Sequence, residues 1–228
     1  MSKPIEISLG LAALLAERVQ SSSASRAAKP ARVTSFGDLK RAVFLDRDGV
    51  LIRTFVRDGI PHPPQSFDEV EILPGVPEAL SQLRDLGFLL LVVTNQPDVA
   101  RGTQRREVVE EISHSLRYHL SLDGIYTCYH DTSDRCDCRK PMPGLLARAA
   151  AEHGVKLSAS FMIGDRGSDI AAGQRAGCRT LLIARSYSNC VSIKPDWQVA
   201  DLLEAAGVIS GQRSEVRGQN EPQTPALI

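Results

Sequence analysis

Two carboxylates two residues apart, Asp46 and Asp48 in FLDRDGV, follow a short apolar run and precede a glycine. At the tip of a buried strand, Asp46 can attack phosphorus and form an aspartyl-phosphate, as carboxylate nucleophiles do. Asp48 can protonate the leaving oxygen and later take a proton from water. Two facing carboxylates also need a cation, and Mg²⁺ favours one or two carboxylates with phosphate oxygens and water. Taken alone, D-x-D-G is also a common turn and a fragment of calcium loops.

Three further segments supply complementary groups. Thr94 and Asn95, in TNQ at the end of FLLLVVT, offer a hydroxyl and a carboxamide that can donate to a phosphoryl group, although a solvated strand exit has the same composition. In RKPMPG, Lys140 supplies a point positive charge and Arg139 can grip a second anion bidentately. In GDRGSD, Asp165 ends an apolar run and is placed to be the second carboxylate ligand of Mg²⁺. Asp169, four residues on, could hold a coordinating water, orient Arg166 or cap the following helix.

Cys128, His130, Cys136 and Cys138 read C-x-H-x₅-C-x-C. Four soft ligands in so short a loop suit tetrahedral Zn²⁺ with no open position, hence a structural ion. Zinc there would staple the loop that presents Arg139 and Lys140. Cys178 and Cys190 fall outside this spacing and read as core or inert thiols.

Alternating elements position these groups. Ala42–Asp46, Phe88–Thr94, Ile125–His130, Phe161–Asp165 and Arg179–Ala184 read as strands. Helices are expected from Pro74–Gly75 to Gly87, from a Thr103 cap to Leu120, over Gly144–His153, over Ser168–Ala176 and, more weakly, over Val199–Ala206. The pattern predicts an α/β fold: a Rossmann-like three-layer sandwich with a mainly parallel sheet. Ligands then bind beyond the C-terminal strand ends, where every motif above falls. Residues 1–38 read as a tail with one helix over Ile5–Val19, residues 39–209 as the folded domain, and residues 210–228 as a disordered tail. No segment between motifs is long enough for a large cap domain, so the Thr54–Pro64 loop is left to cover the substrate.

Composition narrows the function further. The 228 residues hold 27 basic and 27 acidic side chains, and 43% are hydrophobic, enough for a core without disulfides. Zero formal charge and 5% aromatic residues argue against a nucleic-acid groove. No apolar run approaches membrane length, and the N-terminal LGLAALLA stretch lacks a cleavage pattern, so a cytoplasmic protein without membrane contact is expected. A monomer is the default.

The order of the four motifs resembles the haloacid dehalogenase superfamily of phosphohydrolases, over roughly Ala42 to Ala184. The resemblance implies Asp46 as nucleophile, Asp48 as general acid and base, and Thr94 and Lys140 as phosphoryl stabilisers. It places Mg²⁺ on the Asp46 carboxylate, the Asp48 carbonyl and Asp165. FLDRDGV, TNQPDVARG, CDCRKPMPG and GDR are similar to the D-glycero-D-manno-heptose 1,7-bisphosphate 7-phosphatases, with the related histidinol-phosphate phosphatases as the alternative. In the heptose group the positions of Arg139 and Arg166 contact substrate, although Lys is usual at the latter. PMPG favours that group. Ile52, where Asn is common there, and the short His130–Cys136 gap blur the choice. The expected partner is therefore a small phosphorylated metabolite, in particular a sugar bisphosphate. A polynucleotide 3′-phosphatase and a non-enzymatic zinc-binding module are further readings, the latter leaving the acids without a purpose.

Overall fold

The computed structural model describes residues 39–188 and 193–218. The tail and helix expected within residues 1–38 lie outside them, as does Cys190. The strands are β1 (Arg41–Leu45), β2 (Phe55–Arg57), β3 (Ile60–His62), β4 (Phe88–Asn95), β5 (Gly124–Cys128), β6 (Phe161–Gly164), β7 (Arg179–Ile183) and β8 (Trp197–Val199). The helices are α1 (Val76–Asp85), α2 (Pro97–Ala100), α3 (Arg106–His119), α4 (Gly144–His153), α5 (Gly167–Ala176) and α6 (Leu202–Gly218).

Six strands form one parallel sheet in the order β5-β4-β1-β6-β7-β8. Successive side chains point to opposite faces, and both faces are covered. Val43 and Leu45 pack with Leu80 and Leu83 of α1, Ile112 of α3 and Ile209 of α6. Ala42 and Phe44 pack on the other face with Leu146 and Ala149 of α4 and Ala172 of α5. Each fully buried Leu, Ile or Val side chain stabilises the sandwich by roughly 1.5–3 kcal/mol. The three-layer α/β architecture is the one expected, with no large cap among the described residues. The strand order reverses beside β1, where β4 lies on one side and β6 on the other. A crevice forms beyond the C-terminal ends of strands at such a reversal.

Local differences from the sequence expectations have identifiable causes. Thr103 does not cap α3: its hydroxyl donates back to the Asp98 carbonyl at 3.3 Å, and the helix begins at Arg106. The Thr54–Pro64 loop contains the antiparallel pair β2–β3. Asp58 and Gly59, with φ of 52° and 75°, make the two-residue turn that the twist of a hairpin favours. The weak helix expected over Val199–Ala206 divides into β8 and α6. Asp196 ties β8 to the sheet by accepting from the Thr180 amide at 2.7 Å and its hydroxyl at 2.8 Å. Helix α6 continues past residue 209, the expected domain end, to Gly218.

Candidate active site

Asp46 follows β1, Thr94 and Asn95 end β4, the Arg139–Lys140 loop follows β5, and Asp165 follows β6. The crevice thus brings the four motifs together. Lys140, only 3% exposed, lies at the centre. Its ammonium donates to Asp46 Oδ1, Asp169 Oδ1 and the Val93 carbonyl, each at 2.7 Å. Burial works against this charge, but Asp169 and Asp46 outweigh it and hold the Lys140 pKa above its ordinary value. Asp169 therefore orients Lys140. Its other oxygen accepts from the Arg166 amide at 3.0 Å and caps α5, which is one of the expected roles; the hold on Lys140 is not among them.

Neighbouring side chains hold these groups in place. Asn95 clasps the Lys140 backbone from both ends of its amide, with Nδ2 donating to the carbonyl and Oδ1 accepting from the N–H, both at 3.0 Å. The Asn95 amide is thus occupied with the loop, although the residue lines the pocket. Gln96 Nε2 donates to Asp48 Oδ2 at 2.6 Å and to Thr94 Oγ1 at 2.9 Å. Arg47 is wholly buried and forks onto Asp48 at 3.1 and 3.2 Å. It also reaches Ser113 Oγ of α3 at 3.4 Å, linking the acid pair to a helix.

The donor set fits a hard divalent cation. Both oxygens of Asp165 are buried and accept no hydrogen bond. Oxygens of Asp46, Asp165 and Asp169 lie within 4.8 Å of one another. Burial, followed by the Asp46 and Asp169 charges, pushes Asp165 up to about 8. A buried carboxylate without partners is costly unless a cation compensates it. Both Asp169 oxygens are already engaged, by Lys140 and by the Arg166 amide, whereas Asp46 meets Lys140 through Oδ1 alone and Asp165 has both oxygens unpartnered, so Asp46 and Asp165 are the carboxylates left to serve a cation. Gly49, at φ 86°, allows this crowding because a Cβ there would collide with the Asp165 carboxylate.

Cys128, His130, Cys136 and Cys138 converge at the end of β5 and in the loop beyond it. The Cys138 sulfur is 3.3 Å from Cys128, 3.4 Å from Cys136 and 3.2 Å from His130 Nδ1. Cys128 lies 3.8 Å from Cys136 and 3.6 Å from the same imidazole nitrogen. A tetrahedral zinc site with Zn–S near 2.3 Å has edges of about 3.5–3.8 Å, so the cluster is slightly compact for that ion. Burial raises the Cys128 and Cys138 thiols, and a central cation would favour their ionised form. Cys178 is buried elsewhere in the core.

A cavity of about 550 Å³ opens over the acids. Ile60 to Pro63 of the hairpin line it, with Arg135, Arg139 and Arg166 facing them. Arg139 donates to the His130 carbonyl at 3.2 Å and Arg166 to the Pro61 carbonyl at 3.4 Å. Arg101 also lines the cavity but forks onto Asp131 at 2.6 and 3.0 Å. Hydrogen bonding from Arg101 and the Thr132 amide brings Asp131 down to about 2.

Known proteins share both sequence and fold with this arrangement. A model of HAD-hydrolase-like proteins matches residues 137–205. The D-glycero-β-D-manno-heptose-1,7-bisphosphate 7-phosphatase of Haemophilus ducreyi is 38% identical over 159 residues, covering 64% of this chain and 84% of that protein. The enzyme of the same name from Helicobacter pylori strain J99 is 35% identical over 173 residues, covering 69% and 96%. The chain belongs to the HAD-like phosphatases. A D,D-heptose 1,7-bisphosphate phosphatase from B. bronchiseptica, complexed with magnesium and phosphate, has the same fold with a TM-score of 0.65. It is 27% identical and covers 75% of this phosphatase and 99% of its own chain.

Several residues of this HAD-like phosphatase site were not singled out by sequence reasoning. Arg47 sits inside the D-x-D motif, where an arginine reads as surface charge until its complete burial is seen. Gln96 ends the TNQ segment, and its side-chain amide contacts Asp48 and Thr94. Arg185, Tyr187 and Ser188, beyond β7, reach the acidic turns with no spacing signal at all.

Proposed function

We propose that this phosphatase is Mg²⁺-dependent and removes the 7-phosphate of D-glycero-D-manno-heptose 1,7-bisphosphate through an aspartyl-phosphate on Asp46. The observation that carries the substrate is the surplus of cations around the cavity. Lys140 is already paired with Asp46 and Asp169, yet Arg135, Arg139 and Arg166 also face the opening without an ion pair among the described residues. A bisphosphate would employ them, with one phosphate over Asp46 and the other at the arginine rim. The names of the relatives, and the magnesium and phosphate bound to the B. bronchiseptica enzyme, support the same reading.

In this reading an Asp46 carboxylate oxygen attacks phosphorus and the bond to the sugar oxygen breaks. Asp48 supplies the proton to that oxygen. Water then loses a proton to Asp48 and attacks the phosphoryl group, releasing inorganic phosphate and restoring Asp46. Thr94 and Lys140 hold the phosphoryl oxygens, and Asn95 keeps Lys140 in register. Asp46, the Asp48 carbonyl and Asp165 would hold Mg²⁺, whose charge offsets that of the phosphate. The four Cys/His ligands would hold Zn²⁺ as a structural ion.

The test is Mg²⁺-dependent phosphate release from heptose 1,7-bisphosphate and from histidinol phosphate, with Asp46→Asn as the blank. The expected preference in kcat/KM is at least about a hundredfold for the bisphosphate, or about 2.7 kcal/mol of discrimination. Similar rates on both would remove the heptose assignment. Release by Asp46→Asn at the parent rate would remove the aspartyl-phosphate.

A further inference from the structure

The turn after β7 wraps around the acidic end of the sheet. Arg185 donates to the Gly49 carbonyl from Nη2 at 3.0 Å and from Nε at 3.3 Å, holding the D-x-D-G turn. Ser188 Oγ donates to the Asp165 carbonyl at 2.7 Å, holding the other acidic turn. The same Oγ accepts from the Arg185 amide at 2.9 Å, closing the strap on itself. Between them stands Tyr187. Its hydroxyl lies 2.8 Å from Thr54 Oγ1, and it and the Asp165 carboxylate border the space that a Cβ on Gly49 would fill. Tyr187 is thus the nearby proton donor for a carboxylate that accepts no hydrogen bond in this geometry.

We propose that Tyr187 is a positioning residue of the cation site: its hydroxyl accepts from Thr54 and donates to the Asp165 carboxylate, fixing that ligand's orientation. This rests on the reading of Asp165 as a cation ligand. A carboxylate in a metal site retains lone pairs after it binds the ion, and an outer hydrogen bond then sets which oxygen faces the metal. Arg185 and Ser188 hold the Gly49 and Asp165 backbones on either side of the Tyr187 hydroxyl. Thr54 begins the segment that carries the β2–β3 hairpin, so the chain of hydroxyls also joins the cavity's covering loop to the metal end of the site.

The measurement is Mn²⁺ binding to the zinc-loaded protein, followed by water proton relaxation, beside thermal melting in EDTA. Tyr187→Phe is expected to bind Mn²⁺ about tenfold more weakly, the lower end of the loss typical for outer-shell partners, while melting at the parent temperature. Affinity within about twofold of the parent overturns the proposal. If Tyr187→Phe does not fold, Thr54→Val, which removes only the hydroxyl that steadies Tyr187, is read by the same two criteria. Asp165→Asn separates the two levels of inference. Unchanged Mn²⁺ binding in that variant would sink Asp165 as a ligand, whereas loss there with no loss in the Tyr187 or Thr54 variant would sink only the positioning role.

Discussion

Lys140 Nζ and Asp46 Oδ1 stand 2.7 Å apart although 94 positions separate them in the chain. Asp169 shares the same ammonium at 2.7 Å. The proposed nucleophile is therefore aimed by a cation that is itself aimed by a second acid.

Replacing that cation should cost both activity and stability. Lys140→Met is expected to lower kcat/KM by at least about a hundredfold, the scale of losing one oxyanion donor. It also leaves Asp46 and Asp169 buried without their partner, which costs about 3–5 kcal/mol. Steady-state kinetics and urea unfolding measure the two effects. A variant as stable and as active as the parent would contradict the central place of Lys140.

Gln96 should matter in proportion to how much the leaving group needs a proton. It holds Asp48 at 2.6 Å, so Gln96→Ala is expected to misplace the proposed acid. The kcat/KM should fall by more than about tenfold on a sugar phosphate and by less than about threefold on p-nitrophenyl phosphate, whose leaving group departs unprotonated. Because kcat/KM reports events up to departure of the leaving group, later hydrolysis of the intermediate does not blur the comparison. Equal losses on both substrates would assign Gln96 a purely structural part.

Zinc removal should loosen the basic loop. Cys138 immediately precedes Arg139 and Lys140, so loss of the ion frees the segment that carries both cations. Zinc-depleted protein, or Cys136→Ser, is expected to melt at lower temperature and to show faster tryptic cleavage after Arg135 and Arg139. Activity should fall even in saturating Mg²⁺ and return when zinc is restored to the wild-type chain. Full activity at a verified zinc content near zero would show that the loop needs no staple.

Cys178 should be inert in the folded protein. Burial pushes its thiol up to about 12, and the thiolate is the reactive form. At pH 8 only about one molecule in ten thousand carries it. Alkylation mapped by mass spectrometry should therefore leave Cys178 unmodified until denaturant is added; rapid labelling of the native protein at pH 8 would overturn this.

The amino-acid order determined the parallel α/β architecture, because the apolar runs of β1, β4, β6 and β7 can be buried on both faces only between layers of helices. It also revealed Asp46, Asp48, Lys140 and Asp165 as one constellation, since such a sheet carries successive strand ends to one edge. The zinc candidates were legible because all four ligands lie within a single loop. The hairpin within the Thr54–Pro64 loop was not read from the sequence: Asp58–Gly59 is a turn signal, but the short strands beside it have little periodicity. Tertiary structure alone decided how the side chains share their hydrogen bonds. Asp169 had three roles open in the sequence; the cap on α5 is one of them, while its bond to Lys140 is none of them, because only folding brings that ammonium to it. Gln96 could equally face phosphate or protein, and its contact with Asp48 depends on the register between β4 and the turn after β1. Arg47 and Tyr187 gave no local signal, because spacing along a chain does not show which polar groups from distant elements meet where water is excluded.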